Sequence, residues 1–341
     1  MVLIIMGVNY ICNSGISGYA KAAENNINAL LRIPTQVKKI DICGDIEPYL
    51  DNKCGFLFYH CIPTFQPVIK NKITIGNATF ESTRLPNEWR EPLNRNDYIY
   101  VPSQFNKQML LDAGFSNVIY FPHGLNFDAI KLKEKPKNEV FKFLTIGTWH
   151  ERKNHKEVIK AFLNSFKEDE ASLTIKTSRI HENILKLKVA QIAKTLNKPF
   201  SHVKINTGRV EDIYDYIQDY DCYISASLGE GFGYTGMEAM AVNVPTILTN
   251  YSGLTEYVTE DNCFTLHPEK FLEIDIDGYA QFRRQIWPVI SSEQISMRMM
   301  MAMNKKVRDE KSSLAYKDVR SKFSYNSVVS EMSGILSRPE N

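Results

Sequence analysis

Twice along its 341 residues the chain repeats a series of short apolar runs separated by helix-length amphipathic segments, and this doubled alternation limits its fold more than any other feature. In the first half the strand-like runs are residues 2–6, 37–43, 56–60, 73–80, 98–102 and 118–121, with helical patterns at 17–31 and 104–113. In the second half they are 141–146, 172–176, 202–207, 222–225, 246–249 and 263–266, with helices such as 156–166 and 211–219 between them. Strands that alternate with helices form parallel sheets with helices packed on the faces. The two halves are joined at residues 131–138, a polar, charged stretch broken by a proline and read as a linker. The sequence therefore predicts an α/β protein of two doubly wound domains, residues 1–135 and 139–323. Ligand is expected in the cleft they face, at the carboxyl ends of the strands.

Beyond residue 269 the pattern reads as helical. Ile295, Met299, Met303 and Val307 recur every four residues, as a buried helical stripe would. Apolar residues make up 43% and charged residues 23%, which suits a globular protein. The 41 basic and 39 acidic side chains leave a net charge of +2, too little to mark a nucleic-acid binder. No apolar run approaches the ~18 residues of a membrane-spanning helix. Residues 2–6 are too short for a signal-peptide core, lack a basic flank, and read as a first buried strand. None of Cys12, Cys43, Cys54, Cys61, Cys222 and Cys263 stands in a Cys-x-x-Cys pair. Reduced thiols in a cytoplasmic protein, with peripheral attachment to a membrane as the variant, is the expectation.

The chemistry concentrates in Glu230-Gly-Phe-Gly-Tyr-Thr-Gly-Met-Glu238, which follows the apolar run 222–227 and precedes the helical pattern 237–242. A glycine loop that opens a helix presents bare N–H groups and the positive end of the helix dipole to an anion. The two bracketing carboxylates suit hydroxyls rather than phosphate. Phosphate beside several hydroxyls describes a nucleotide sugar. Two other readings compete. Gly231-x-Gly233-x-x-Gly236 is also a dinucleotide fingerprint, but the next strand ends in Asn250 where an acid should meet the ribose, and the loop comes late in its half. Alternatively, the glycines merely pack a helix onto a sheet.

Residues 230–245 resemble retaining, nucleotide-sugar-dependent glycosyltransferases of the GT-B fold, family four (glycosyl transferases group 1). Their Glu-x7-Glu signature lies within a pattern close to E-G-F-G-x-x-x-x-E-A-M-A-x-G-x-P. Tyr234-Thr235 replaces a common Leu-Pro, and Asn243 replaces the usual Gly, a mild change because asparagine also enters the left-handed region. The resemblance extends to residues 1–20, to Glu81-Ser-Thr-Arg-Leu-Pro-Asn-Glu-Trp89, to 101–107, to 113–118 and to Pro122-His-Gly-Leu-Asn126. It is weakest over 33–71, in the domain that normally encodes acceptor preference. It implies two Rossmann-like domains, an acceptor domain and a nucleotide-sugar domain, with a last helix, about 324–337, crossing back to the first.

The resemblance also implies roles. Lys153 matches the lysine on the donor diphosphate. Thr148 occupies the usual arginine position, and Arg152 stands in for it. A diphosphate leaving group needs positive charge as its bond breaks, which Arg and Lys supply; the bland reading is two solvated cations before a helix. Glu238, placed in the first helical turn, would hold the ribose diol, and Glu230 the hexose hydroxyls. Backbone N–H groups of Phe232 and Gly233 would help hold the transferred sugar. Gly18, and next Gly15, would let backbone approach donor phosphate or acceptor. Glu81, read as ending a strand, is an acceptor-side residue and His60 a lesser candidate, while His123 reads as a hinge hydrogen-bonder. Gly208 and Val210 would meet the base through main chain, and Lys176 would reach the nucleotide.

The implied reaction is retaining transfer from a UDP- or GDP-sugar, independent of metal and cofactor, in which the leaving phosphate helps take the acceptor proton. The acceptor stays open among lipid-linked glycan, polysaccharide, protein and modified nucleic-acid base. A non-catalytic sugar-nucleotide binder is the rival of another class, and a dinucleotide oxidoreductase the third. A glycosidase pair is disfavoured, because nothing in the loop sets two carboxyls ~5–9 Å apart across one bond.

Overall fold

The computed structural model describes residues 7–15, 17–42, 45–134, 139–178, 180–276 and 280–337. The chain divides into two compact units. One holds the chain up to Phe127 together with the segment from Ser321 onward; the other is Asp128–Arg320.

The first unit is built on a parallel sheet of order β2-β1-β3-β4-β5-β6. Its strands are β1 (Gly7–Cys12), β2 (Val37–Asp41), β3 (Cys54–His60), β4 (Ile73–Asn77), β5 (Tyr98–Val101) and β6 (Val118–Tyr120). Register explains its aromatic core. Tyr10 pairs with Phe58 across β1 and β3 and the rings stack at 4.7 Å, while Phe58 meets Tyr100 at 4.5 Å. Such ring pairs add roughly 0.5–1.5 kcal/mol to their burial. Helix α1 (Gly18–Leu30) starts where the Ser17 Oγ accepts the Ala20 N–H, and it buries Ala20, Ala23, Ile27 and Leu30. Helices α2 (Asn87–Asn94) and α3 (Gln104–Asp112) make the later crossovers. The connections on either side of β3 carry only short 3-10 turns, Glu47–Tyr49 and Pro63–Phe65. They cover a small cluster of Ile11, Ile40, Ile46, Leu57, Tyr59 and Cys61. This thinly covered stretch is also where the sequence resemblance is weakest.

The second unit repeats the plan in a parallel sheet of order β12-β11-β10-β7-β8-β9. Its strands are β7 (Phe141–Ile146), β8 (Ala171–Lys176), β9 (Val203–Asn206), β10 (Cys222–Ser225), β11 (Thr246–Thr249) and β12 (Phe264–Leu266). Helices α4 (His155–Ser165), α5 (Glu182–Leu196), α6 (Ile213–Ile217) and α7 (Tyr234–Ala241) connect them. Phe143, Phe162, Leu173, Ile175, Val189 and Ile224 are fully buried between layers, each contributing about 1.5–3 kcal/mol.

Beyond Leu266 the chain departs from the sequence reading. Two segments expected to be helical are strands: β13 (Lys270–Ile274) and β14 (Gln285–Val289) form an antiparallel pair, with a short 3-10 turn at Ala280–Phe282 between them. The four-residue stripe is also split. Ile295 and Met299 are buried on α8 (Ser292–Ala302), but Met303 caps that helix and is exposed, and Val307 belongs to α9 (Lys305–Phe323). A last helix, α10 (Tyr325–Leu336), packs on α1 within the first unit, where the Tyr325 hydroxyl donates to Asn25 Oδ1 at 2.6 Å. The strand expected at residues 2–6 lies outside the described residues, as do Cys43 and part of the linker; β1 begins at Gly7. The other five cysteines are buried and free. Among the described residues no helix is long and apolar enough to cross a membrane.

Among the buried histidines are His60, His123 and His155. Burial pushes the His60 imidazole down to about 3. Burial, helped by the Lys153 charge, takes His155 to about 4. Burial and then the neighbouring His60 hold His123 well below its ordinary range. The folded protein thus keeps them neutral while an unfolded chain takes up protons below about 6.5. The stability they confer is complete above that pH. It is lost as pH falls through the window down to their folded values, at up to ~1.4 kcal/mol per pH unit for each. The thermal midpoint is expected to drop between about pH 7 and pH 5, and His60→Gln to make that dependence shallower. A midpoint that stays level over this range would contradict the neutral, buried state.

Candidate functional site

In the second unit the carboxyl ends of β7, β8, β9 and β10 carry most of the residues singled out in the sequence. The loop after β7 passes through Trp149, whose ring stacks on His155 at 5.4 Å, and tightens into a 3-10 turn at Glu151–Lys153. Asn154 then takes the left-handed conformation (φ 56°) that starts α4. This turn aims Arg152 and Lys153 at the loop after β10, and the two loops are tied by the Leu228 N–H donating to the Arg152 carbonyl at 2.8 Å.

The cations meet Glu230. Lys153 Nζ lies 2.5 Å from Glu230 Oε1 and Arg152 Nη1 lies 3.0 Å from Oε2, with Arg152 Nη1 also donating to the Gly229 carbonyl at 2.5 Å. Ser227 Oγ donates to Glu230 Oε1 at 2.6 Å. All three charged side chains are largely buried. Burial alone would raise the Glu230 carboxyl, but the Lys153 and Arg152 charges together overcome it and hold the group at about 2. The cluster is thus an ion triad of two cations and one carboxylate. It corrects the bland sequence reading, in which Arg152 and Lys153 were solvated cations. It also changes the chemical picture: the carboxylate expected to face sugar occupies the cations expected to face diphosphate.

The glycine loop then leads into α7. Gly233 stands at φ 85° before the helix, and a Cβ there would lie 2.5 Å from Leu254 Cδ2; its carbonyl accepts the Tyr257 hydroxyl at 2.5 Å. Phe232 is buried beside Tyr257. Glu238 is buried too, but it lies in the second turn of α7 rather than the first. Stabilisation by the helix end, which fades within one turn, therefore does not account for it. Both departures from the family pattern have a local reason. Thr235 accepts the hydroxyl of buried Tyr223 at 2.8 Å, and Asn243 takes the left-handed backbone at φ 57°.

Lys176, at the end of β8, is buried, and its Nζ donates to the Gly208 carbonyl at 2.5 Å; burial lowers its pKa. Two residues expected to meet the nucleotide separately are therefore joined to each other. Val210, half-buried, follows in the same loop, where Gly208 and Arg209 are exposed.

The remaining candidates lie in the first unit and are brought together only in part. Gly15 (φ 134°) and Gly18 flank the start of α1, with nothing within 4 Å of where a Cβ would stand. Glu81 does not end a strand: β4 stops at Asn77, and Glu81 sits in a bend four residues on, near the Tyr19 hydroxyl. His60 is a core residue, its Nδ1 2.7 Å from the Tyr10 hydroxyl and 2.6 Å from that of Tyr100. His123 Nδ1 meets Asn26 Oδ1 at 3.0 Å.

Sequence reasoning missed the groups that support the site. The Ser252-Gly253 turn grips the Glu230 backbone: Ser252 Oγ accepts the Glu230 N–H at 2.8 Å and the Gly253 N–H donates to the Glu230 carbonyl at 2.9 Å. Phe282, delivered by the segment between β13 and β14, sits 5.8 Å from the Arg152 guanidinium. A Ser-Gly pair just past a strand was the available signal for the first. Nothing in the sequence marked the second.

Three solved structures share this architecture at low identity. Anabaena HepE, solved with UDP and glucose, matches with a TM-score of 0.74 at 12% identity over 98% of this chain and 100% of its own. A glycosyltransferase from Rickettsia africae matches with 0.71 at 16% over 97% of each chain. Sucrose-phosphate synthase from Thermosynechococcus elongatus matches with 0.71 at 11% over 97% of this chain and 98% of its own. The chain has the GT-B fold. Residues 126–272 match the sequence model of the family described as glycosyl transferases group 1. That segment contains the ion triad, Lys176, Gly208, Val210, the glycine loop and Glu238, and leaves the first unit's candidates outside. A protein of Acidianus filamentous virus 1, ORF313, described as a candidate glycosyltransferase, is 27% identical over 170 residues. The match spans 47% of this chain and 47% of that relative, about half the length of each.

Proposed function

We propose that the chain is a retaining glycosyltransferase that moves a sugar from a nucleoside diphosphate, UDP or GDP, to a hydroxyl acceptor. The observation that carries the reading is the Arg152–Lys153–Glu230 triad set at the mouth of a glycine-capped helix, in the segment that matches the family. Arg152 and Lys153 turn from Glu230 to the donor diphosphate and stabilise the charge that grows as the glycosidic bond breaks. Glu230, released, accepts hydroxyls of the transferred sugar, with the Phe232 and Gly233 N–H groups beside it. Glu238 accepts the ribose diol, and the loop at Gly208 and Val210 meets the base. The acceptor side belongs to the first unit, near Gly15, Gly18 and Glu81. Departure and attack share one face of the sugar, so configuration is retained, and the leaving phosphate takes the acceptor proton. Two side-chain cations and a helix N-terminus do the work of a divalent ion, so turnover needs no metal and no cofactor.

A thermal-shift series with UDP, GDP, ADP, CMP and NAD tests the donor class, because a ligand of the folded state raises the midpoint by mass action. A nucleoside diphosphate is expected to give the largest shift, and Glu238→Gln to lose part of it, roughly 1–3 kcal/mol of charged hydrogen bonding. Donor hydrolysis should survive EDTA. A shift with NAD alone would favour an oxidoreductase, and loss of turnover restored by magnesium or manganese would overturn metal independence.

A further inference from the structure

Six non-glycine residues among those described have positive φ, and four of them are asparagine, the side chain best suited to the left-handed region. Ser252 is different. It holds φ 57° while buried directly beneath the glycine loop, in a conformation that serine enters at a cost. Glycine would adopt that backbone freely, so some other contact keeps a serine there. Its Oγ supplies one: at 2.8 Å it accepts the N–H of Glu230. That N–H is buried, and without the hydroxyl it would lose the partner seen here. The next residue completes the hold, since the Gly253 N–H donates to the Glu230 carbonyl at 2.9 Å. The turn is itself closed by Thr255 Oγ1 donating to the Ser252 carbonyl at 2.8 Å.

We infer that Ser252 is a positioning residue: its strained backbone aims a hydroxyl at the Glu230 N–H and so fixes where the Glu230 carboxylate stands between cations and sugar. Ser252 touches no reacting atom. It acts through the main chain of Glu230, so its effect belongs to the chemical step rather than to donor binding. The inference rests on the glycosyltransferase reading for its activity arm, and on the geometry alone for its exchange arm.

Two substitutions separate positioning from mere support. Ser252→Gly removes the hydroxyl and relieves the backbone. Ser252→Ala removes the hydroxyl and keeps the strain. Both are expected to cut the kcat of donor hydrolysis at least ~10-fold with donor KM changed less than about twofold, the pattern of an interaction felt in the transition state. Yet their thermal midpoints should diverge, with the glycine variant as stable as the parent or more so. Amide hydrogen exchange supplies a readout independent of activity: the Glu230 N–H should exchange faster in both variants than in the parent. Turnover within about twofold of the parent, or turnover that simply follows the midpoint, overturns the inference. So does unchanged exchange at Glu230. If the parent binds and hydrolyses no nucleotide sugar, the glycosyltransferase reading fails instead, and the exchange arm still decides whether Ser252 holds Glu230.

Discussion

Glu230→Gln is expected to bind a free nucleoside diphosphate about tenfold more tightly than the parent while losing at least ~100-fold in sugar transfer. The first effect follows from the triad. The Glu230 carboxylate engages Lys153 at 2.5 Å and Arg152 at 3.0 Å, so a diphosphate that binds the same cations competes with a built-in anion. Glutamine keeps the shape and removes the charge. It leaves two cations side by side and largely buried, a state that costs about 3–5 kcal/mol when a buried pair loses one member. The unliganded variant should therefore melt lower. Diphosphate then restores the missing negative charge, and a tenfold gain corresponds to about 1.4 kcal/mol of that cost recovered. The second effect has a different origin, because the variant lacks the carboxylate that orients the sugar where bond breaking occurs. Calorimetry with UDP or GDP and a donor-hydrolysis assay read the two effects separately. Nucleotide affinity that falls in step with turnover would make Glu230 a nucleotide contact and take the diphosphate role away from Arg152 and Lys153.

The same carboxyl sets a pH expectation. Its folded value of about 2 lies below the roughly 4.3 of an unfolded glutamate. Its contribution is therefore present above that value and lost as pH falls toward 2. This acid loss sets in near pH ~4.3, well after the histidine loss has begun near ~6.5, and it overlaps the end of that loss, which runs down to about 4 for His155 and about 3 for His60.

How far the sequence carried the fold can be judged element by element. Strands β7, β10 and β11 fall on the expected residues because each is a β-branched or aromatic run between polar turns. Strand β13 differs from the helical expectation because Phe271, Leu272 and Ile274 also fit a helical face, while the partner that makes them a strand, β14, lies about ten residues further on. The break between α8 and α9 falls at Met303-Asn304, with neither glycine nor proline to announce it. At the site, the identity of Arg152, Lys153, Glu230 and Glu238 was legible from a loop pattern. Their mutual geometry was not, since Glu230 lies 77 residues from Lys153 in sequence. Supporting contacts were hidden for the same reason. A serine after a strand is ordinary until the fold sets its hydroxyl against another loop's N–H.

Gly253→Ala is expected to be the most damaging single-methyl change in the second unit. The glycine is required by close approach rather than by its own backbone angles. A Cβ at Gly253 would stand 2.1 Å from the Gly231 carbonyl oxygen, 2.4 Å from its carbon and 2.8 Å from the Glu230 carbonyl oxygen. These are backbone atoms, so no side chain can rotate aside. Either the Ser252-Gly253 turn or the glycine loop must move. Overpacking of this kind costs about 1–3 kcal/mol where side chains can yield, and this contact should reach or exceed the upper end. Movement of the loop carries Glu230 and the Gly233 cap with it, and a displacement of ~1 Å at reacting groups is worth about 100-fold in rate. Gly334→Ala provides the contrast, since nothing lies within 4 Å of its Cβ position on α10, and alanine there should stabilise the helix by about 0.5–1 kcal/mol. Urea unfolding should separate the two variants in opposite directions from the parent, and donor hydrolysis should fall only in the first. A Gly253→Ala protein with the parent's midpoint and turnover would mean that the two loops are not held at the distance on which the assignment of Glu230 depends.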